Sequence, residues 1–529
     1  MRGFKRDCAA LLHASVQCSD GPYDARMLDD KTNGWGTLPR SERVALILML
    51  LALALLLGQH WGMMLSNSDD PWIIRSSWAM NLKTASDQGR FWLIPINTMA
   101  ALPYLGGWEV ANVTKILVNG SVLLAFVAFC SRLSSRLTGV LAGVVWLALI
   151  DVSPGYYSPF HGFLMMFNLQ FAALFLSFYW YLRVIDGPHA SRTVVGPYLL
   201  FAFALLAYEP MLFYAGVYPA LYAYRHFATP TLGWRLQRDG WPLLMSFLRR
   251  NWVLPIVVLG YITLYFAYRY FQPTPGRSVD GSGRLVDIAL TVFRFSVHGL
   301  HVQIKALTNY VPGVSTTENL VLALVYGVSV ALAALVLLPR MQGRQAPDRL
   351  LRPWSLAVIC FYVLCPNFLL ALVEAYRRWA AEDPHYVGNY FSSFPLALLV
   401  SLGMVSLVGG IKARQEKVLL AMVVVVLATS ACDNYLRWSQ LAQANRRDSK
   451  LWVQAMAQLR ALPAAPNGRT QVVCGLHAPE KVSGDERYWS GYLSEYLGRP
   501  MEYRYKNLSG VACDVRLEFN DYRYPGARS

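Results

Sequence analysis

Residues 44–57 read VALILMLLALALLL, a run with no charged or hydrogen-bonding side chain, entered through Ser41-Glu42-Arg43 and left through Gly58-Gln59-His60. Uncharged runs recur at residues 256–266 and 418–427. A stretch of about 20 apolar residues crosses a ~30 Å hydrocarbon layer as a helix, and only helices or closed barrels satisfy backbone groups there. The alternating ten-residue pattern of a barrel strand is absent, so these runs read as helices. Composition agrees: 55% of the 529 residues are hydrophobic and 15% charged, whereas a soluble domain carries roughly 25% charged residues. The polar, mixed-charge residues 1–43 precede the first run, which is therefore expected to remain as an anchor rather than be cleaved as a signal peptide.

Eleven spans are expected, near Val44–Met64, Ala111–Cys130, Leu137–Val152, Pro159–Leu182, Val195–Tyr208, Met211–Tyr224, Trp252–Phe271, Leu320–Leu338, Trp354–Tyr376, Tyr390–Ile411 and Val418–Asn434. The fifth and sixth are separated only by Glu209-Pro210, so one kinked helix or a re-entrant pair is the alternative. With eleven spans, the N-terminal tail and the loops near residues 134, 188, 238, 346 and 415 hold 23 lysines and arginines, against nine in the opposite set. Basic loops stay in the cytoplasm. That gives a cytoplasmic tail (1–43), a transmembrane region (44–434) with external loops 65–110, 272–319 and 377–389, and a soluble extracytoplasmic domain (435–529). The expected location is the inner membrane, with a periplasmic C-terminus. The net charge of +16 comes without a basic block or nucleic-acid motif, so no nucleic-acid partner is expected.

Beyond Leu436 the composition becomes that of a soluble α/β unit. A helix is expected over Arg437–Leu462, strands over Gln471–Leu476, Met501–Tyr505 and Ala512–Phe519, and a helix over Asp485–Leu497. Cys474 and Cys513 each fall on an expected strand, and outside the cytoplasm such a pair is more often a disulfide than two thiols. Cys8, Cys18, Cys130, Cys360, Cys365 and Cys432 show no metal-ligand spacing.

The first external loop carries Ser66-Asn67-Ser68-Asp69-Asp70-Pro71-Trp72 directly after the first span. Ile74, Trp78 and Leu82 follow at helical spacing, then Gly89-Arg90. Asp70 before Pro71 suits a helix N-cap, but capping needs only one acid. The other is free to act as a general base toward a hydroxyl attacking a sugar.

An acidic pair after the first span, an interfacial helix and then Gly89-Arg90 resembles the GT-C superfamily, multi-span glycosyltransferases that use polyprenyl-phosphate-linked sugars. The bacterial O-antigen and cell-envelope transferases belong to it. The resemblance implies that Asp69 or Asp70 is the catalytic base or a metal-associated acid, that Arg90 lies in the donor region, and that the acceptor is a glycan or lipid. Where the family pattern leads one to expect an arginine entering a late span, this chain reads HYVGNY at 385–390, and the nearest arginines are Arg377 and Arg378.

Independently of the family, Arg294, His298, His301 and Lys305 are spaced four, three and four apart, on one face of a helix among apolar residues. They are either a rail for a lipid phosphate or a solvated face touching anionic headgroups, with the helix lying in the interface. Asp151, Glu209 and Glu374 lie near outer span ends, where acids usually face a cavity or a partner. Glu209 is the most informative, because the break at Pro210 opens backbone groups to a pocket. Arg377, Arg378, Glu382, Asp383 and His385 form a dense polar loop, a candidate lid or acceptor site.

No phosphate-binding glycine loop, His-Glu-x-x-His or Gly-x-Ser-x-Gly motif occurs. No motif points to a cofactor, and a divalent metal ion is compatible with the acids without being implied by any ligand set. The expected function is an inverting, lipid-phosphate-sugar-dependent membrane glycosyltransferase. The rival readings are a lipid-glycan flippase or transporter, which calls for an internal repeat and mid-membrane charges, and a non-catalytic envelope assembly protein.

Overall fold

The computed structural model describes residues 39–63, 86, 90–91, 93–150, 167–186, 195–206, 208–226, 241–242, 244–271, 284–305, 317–342, 350–382, 387–409, 413–476, 486–505 and 512–518. The chain divides into Met1–Val44, of which residues 39–44 are described, and Ala45–Ser529.

The described helices before the first strand include α1 (Arg40–Gly58), α2 (Leu93–Leu105), α3 (Trp108–Leu133), α4 (Arg136–Leu149), α5 (Asn168–Ile185), α6 (Val195–Leu205), α7 (Val217–His226), α8 (Val253–Phe271), α9 (Leu285–Lys305), α10 (Thr317–Gln342), α11 (Pro353–Ala371), α12 (Glu374–Glu382), α13 (Val387–Gly409) and α14 (Ala413–Ala461). Seven are long and apolar enough to cross a membrane, those at Arg40–Gly58, Trp108–Leu133, Val253–Phe271, Asn319–Arg340, Pro353–Ala371, Gly388–Leu407 and Lys417–Ser439. The protein is a helical membrane protein. Its outward side chains, such as Ile256, Leu259 and Phe266 on α8, are mostly uncovered and need hydrocarbon around them.

The helix α4 is buried along its whole length from Leu137 to Leu149. Ser135 starts it by accepting a hydrogen bond from the Thr138 N–H at 3.2 Å. It crosses α3 at Gly139, where a Cβ would stand 2.0 Å from Ser131 Oγ and 2.6 Å from the Val127 carbonyl oxygen. Close backbone approach through glycine is how helices gain contact when hydrocarbon supplies no hydrophobic drive between them. The core beside it is aromatic: Trp146 stacks on Phe394 at 5.1 Å, and its Nε1 donates to Ser393 Oγ at 3.1 Å.

The expected eleven spans meet the structure unevenly. Val195–Leu205 has 11 residues, ~16 Å at 1.5 Å per residue, about half a hydrocarbon core. After the Glu209-Pro210 break, Glu209–Gly216 is a 3-10 helix that runs straight into α7. The tighter winding rises ~2.0 Å per residue, so residues 209–226 reach ~31 Å, about the thickness of a hydrocarbon core. They run from the end of the bundle holding Arg90 to the end where Arg225 and Arg132 both pair with Asp186, at 3.3 and 2.8 Å. The break thus separates a half-length helix from a stretched one.

Two segments expected to lie between spans hold helices. Leu93–Leu105 is a helix within what reads as an external loop, and it carries no charge. The helix α9 does not simply lie in the interface: Phe295 and Ser296 are fully buried, and Asn367 of α11 donates to Ser296 at 2.9 Å. Its exposed face carries Leu290 and Phe293 beside Arg294, so one side is locked into the bundle.

The C-terminal unit begins inside a helix. Residues 413–461 form one helix of 49 residues, ~73 Å long, so the composition change near residue 435 marks no break in the chain. The strands β1 (Gln471–Leu476), β2 (Met501–Tyr505) and β3 (Val515–Glu518) form a parallel sheet in the order β2-β1-β3, with α15 (Glu486–Leu497) between β1 and β2. Trp452, Met456 and Leu459 of α14 pack with Trp489, Leu493, Val473, Tyr503 and Leu517, and Trp452 stacks on Trp489 at 3.7 Å. Cys474 and Cys513 form a disulfide with a Cα–Cα distance of 5.8 Å, which joins β1 to the segment entering β3.

Candidate functional site

The end of α1, the first turns of α3 and the middle of α14 meet at one end of the bundle. Gln59 Nε2 donates to the Tyr435 hydroxyl at 2.5 Å, and Arg446 Nη2 donates to Gln59 Oε1 at 2.9 Å. His60 lies edge-on to Trp438 at 4.8 Å, and Trp438 Nε1 donates to the Leu56 carbonyl at 2.7 Å. The turn that follows needs Gly62, at φ +78, whose α-carbon faces Arg446. Trp108, at the start of α3, packs on the C-terminal core. The described chain therefore reaches Met63 at the same end of the bundle as the C-terminal unit.

From this clamp a buried polar chain links the turn after α1 to α3, α5 and α13. His60 Nε2 is 3.1 Å from Asn119 Nδ2, Asn168 Nδ2 donates to Asn119 Oδ1 at 2.6 Å, and the Tyr390 hydroxyl donates to Asn168 Oδ1 at 2.7 Å. All four residues are buried. Lys115, one turn from Asn119 on α3, is 2% exposed, with its ammonium 5.8 Å from the Tyr104 ring centre. Polar groups at this depth are costly without partners, so a linked set marks a part of the bundle shaped for more than packing.

The other end of the same loop is also tied down. Arg90 pairs with Glu209 (Nε–Oε1 3.4 Å), donates from Nη2 to the Tyr208 hydroxyl at 3.1 Å and covers the Tyr208 ring at 4.7 Å. The Tyr208 hydroxyl is hydrogen-bonded to that of Tyr376 on α12. Burial works against the charge of Arg90, but Glu209, Tyr208 and Tyr376 more than restore it and hold the guanidinium well above its ordinary pKa. Phe91 continues the cluster, 6.0 Å from both Tyr261 and Tyr268 of α8. One node thus joins the end of the first loop, the Pro210 break, α8 and α12.

Of the residues expected from sequence, Arg90 and Glu209 are brought together here. Asp69, Asp70, Asp151, Asp383 and His385 lie outside the described residues, as do the side chains of His298, His301, Lys305 and Glu382. Arg377 Nη1 donates to the Ala371 carbonyl at 3.0 Å and so caps α11, while Arg378, Arg294 and Glu374 are exposed. Among the described residues no group of three His, Cys, Asp or Glu could hold a metal ion. Sequence reading passed over His60, Lys115, Asn119, Asn168, Tyr208 and Tyr376. The signal for Lys115 and Asn119 was there: two polar residues one helical turn apart inside an apolar span.

The sequence matches no protein-family model and no curated protein. Similar solved structures include the oligosaccharyltransferase of Archaeoglobus fulgidus in its apo form, at 11% identity and a TM-score of 0.39, covering 89% of this chain and 65% of that one. The Archaeoglobus fulgidus oligosaccharyltransferase AglB in complex with an inhibitory peptide and a dolichol-phosphate matches at 12% identity and a TM-score of 0.38, covering 88% and 65%. The same enzyme tethered to an acceptor peptide containing the NVT sequon matches at 12% identity and a TM-score of 0.35, covering 89% and 64%. This chain spans about 65% of the length of the structures it matches.

Proposed function

We propose that this protein is an inverting membrane glycosyltransferase of GT-C type that uses a polyprenyl-phosphate-linked sugar, with a cell-envelope glycan or lipid as acceptor. The observation that carries the reading is the anchoring of the Asp69-Asp70 loop at both ends. Gln59 and His60 are clamped to α14 before it, and Arg90 is clamped to Glu209, Tyr208 and Tyr376 after it. A base acts only if its carboxylate is held within hydrogen-bond reach of the proton it takes, and the two clamps fix where the segment carrying Asp69 and Asp70 begins and ends.

In the proposed reaction an acceptor hydroxyl attacks the anomeric carbon, and the bond to the donor phosphate breaks with its electron pair leaving on phosphate oxygen. The hydroxyl proton passes to Asp69 or Asp70. The face concerned is the extracytoplasmic one, and the C-terminal unit, which begins where α14 leaves the apolar bundle, helps hold the acceptor. Asp69→Ala/Asp70→Ala should lower sugar transfer in membrane vesicles by roughly 10²–10⁴-fold with normal insertion. Unimpaired transfer by the double variant would exclude this assignment.

A further inference from the structure

Two arginines stand in the Glu209 cluster, and they are not equivalent. Arg90 is compensated by the Glu209 carboxylate at 3.4 Å and by the Tyr208 hydroxyl. Arg269, in the last turn of α8, has no carboxylate partner among the described residues. Its guanidinium carbon lies 5.1 Å from the centre of the Tyr265 ring, and its Nε, shielded from solvent, has no hydrogen-bond partner among those residues. Tyr265, whose ring Arg269 covers, also feels the charges of Glu209 and Arg90. A partly shielded guanidinium donor without an acceptor is costly unless an anion completes it.

The surroundings say where such an anion comes from. On α8, Ile256, Leu259, Leu264 and Phe266 are all more than half exposed, which is a lipid-facing wall. Tyr270 and Phe271 beside Arg269 are 82% and 75% exposed, the kind of aromatic belt that sits at headgroup depth. An anion that arrives along this wall has an apolar tail and its charge at the level of Arg269. Guanidinium suits phosphate because its planar fork can donate two parallel hydrogen bonds.

We propose that Arg269, beside Tyr265, binds the phosphate of a polyprenyl-phosphate lipid, while Glu209 keeps Arg90 as a clamp for the first loop. The proposal rests on the glycosyl-transfer reading for the identity of the lipid, and it assigns the phosphate to a residue outside the loops.

The test is a binding titration of the full-length protein in phosphatidylcholine nanodiscs with a short polyprenyl phosphate, with separate competition by phosphatidylglycerol and by inorganic phosphate. Arg269→Gln should weaken polyprenyl-phosphate binding about tenfold or more, and Arg269→Lys, which keeps the charge without the fork, by about threefold. Should the glutamine variant not assemble, the lysine variant carries the measurement. Wild-type binding that neither substitution changes would overturn the proposal and leave the glycosyl-transfer reading standing. Absence of polyprenyl-phosphate binding by the wild type would overturn both. Equal competition by phosphatidylglycerol would make Arg269 an ordinary headgroup contact complementing the helix dipole, and equal competition by inorganic phosphate would make the site a free-anion one; either overturns the proposal.

Discussion

The membrane bundle and the C-terminal unit are both tightly packed, but by opposite means. In the bundle, α3 and α4 touch through the bare backbone at Gly139, and uniqueness comes from buried hydrogen bonds such as Trp146 to Ser393 and Tyr390 to Asn168. In the C-terminal unit, large rings fill the core, with Trp452 on Trp489, and a covalent bond joins β1 to the segment entering β3. The difference follows from solvent. Water rewards burial of large apolar side chains at roughly 25 cal/mol per Å², whereas hydrocarbon gives no such reward and leaves close approach and polar specificity to select the arrangement. Both means meet in α14, whose first half is a lipid-facing span and whose last turns carry Trp452 and Leu459 into the α/β core.

Three variants separate these two regimes. The largest effect is expected for Gly139→Leu, because the nearest obstacle besides Ser131 is the Val127 carbonyl, backbone that cannot rotate away. The helices must part, at about 3 kcal/mol or more, and size-exclusion chromatography in detergent should show loss of the monodisperse species. Cys474→Ser/Cys513→Ser should destabilise the C-terminal unit by roughly 2–4 kcal/mol. Hydrogen exchange should show faster exchange in strands β1 and β3 with unchanged protection in α3 and α4; loosening of the bundle as well would erase the distinction. The smallest effect is expected for Tyr390→Phe, which removes one buried donor from Asn168 Oδ1 and should cost about 1 kcal/mol, read as a lower thermal midpoint. A cost near zero would mean that the polar chain does not select the bundle geometry.

The two halves also differ in how well local pattern foretold them. Gln471–Leu476 and Met501–Tyr505 are strands with the expected bounds, and the helix beginning at Glu486 falls within one residue of expectation, because turn residues and alternation bracket short elements closely. The Cys474–Cys513 pairing was one of two open readings until the parallel register of β1 and β3 brought the cysteines together. In the bundle, hydrophobicity located helices but not their winding. The 3-10 stretch at Glu209–Gly216 makes the segment longer than an α-helix of the same residue count, and no composition window reports rise per residue. Within α9 the four-three-four spacing located Arg294 on an exposed face but gave no hint that Phe295 and Ser296 are keyed into α11 and α13.

What the sequence by itself determined is that the chain lies in a membrane as a set of helices with a small α/β unit after them. Run length, charge depletion and backbone hydrogen bonding are local properties, and a local pattern is enough to express them. Only the tertiary structure decided which charges remain available. Arg90 and Tyr208 are 118 positions apart, and the Glu209 carboxylate beside that tyrosine takes up the charge of Arg90, while Arg269 on α8 has no carboxylate partner among the described residues. Pairing of charges depends on distance through space, and that distance is set when helices pack.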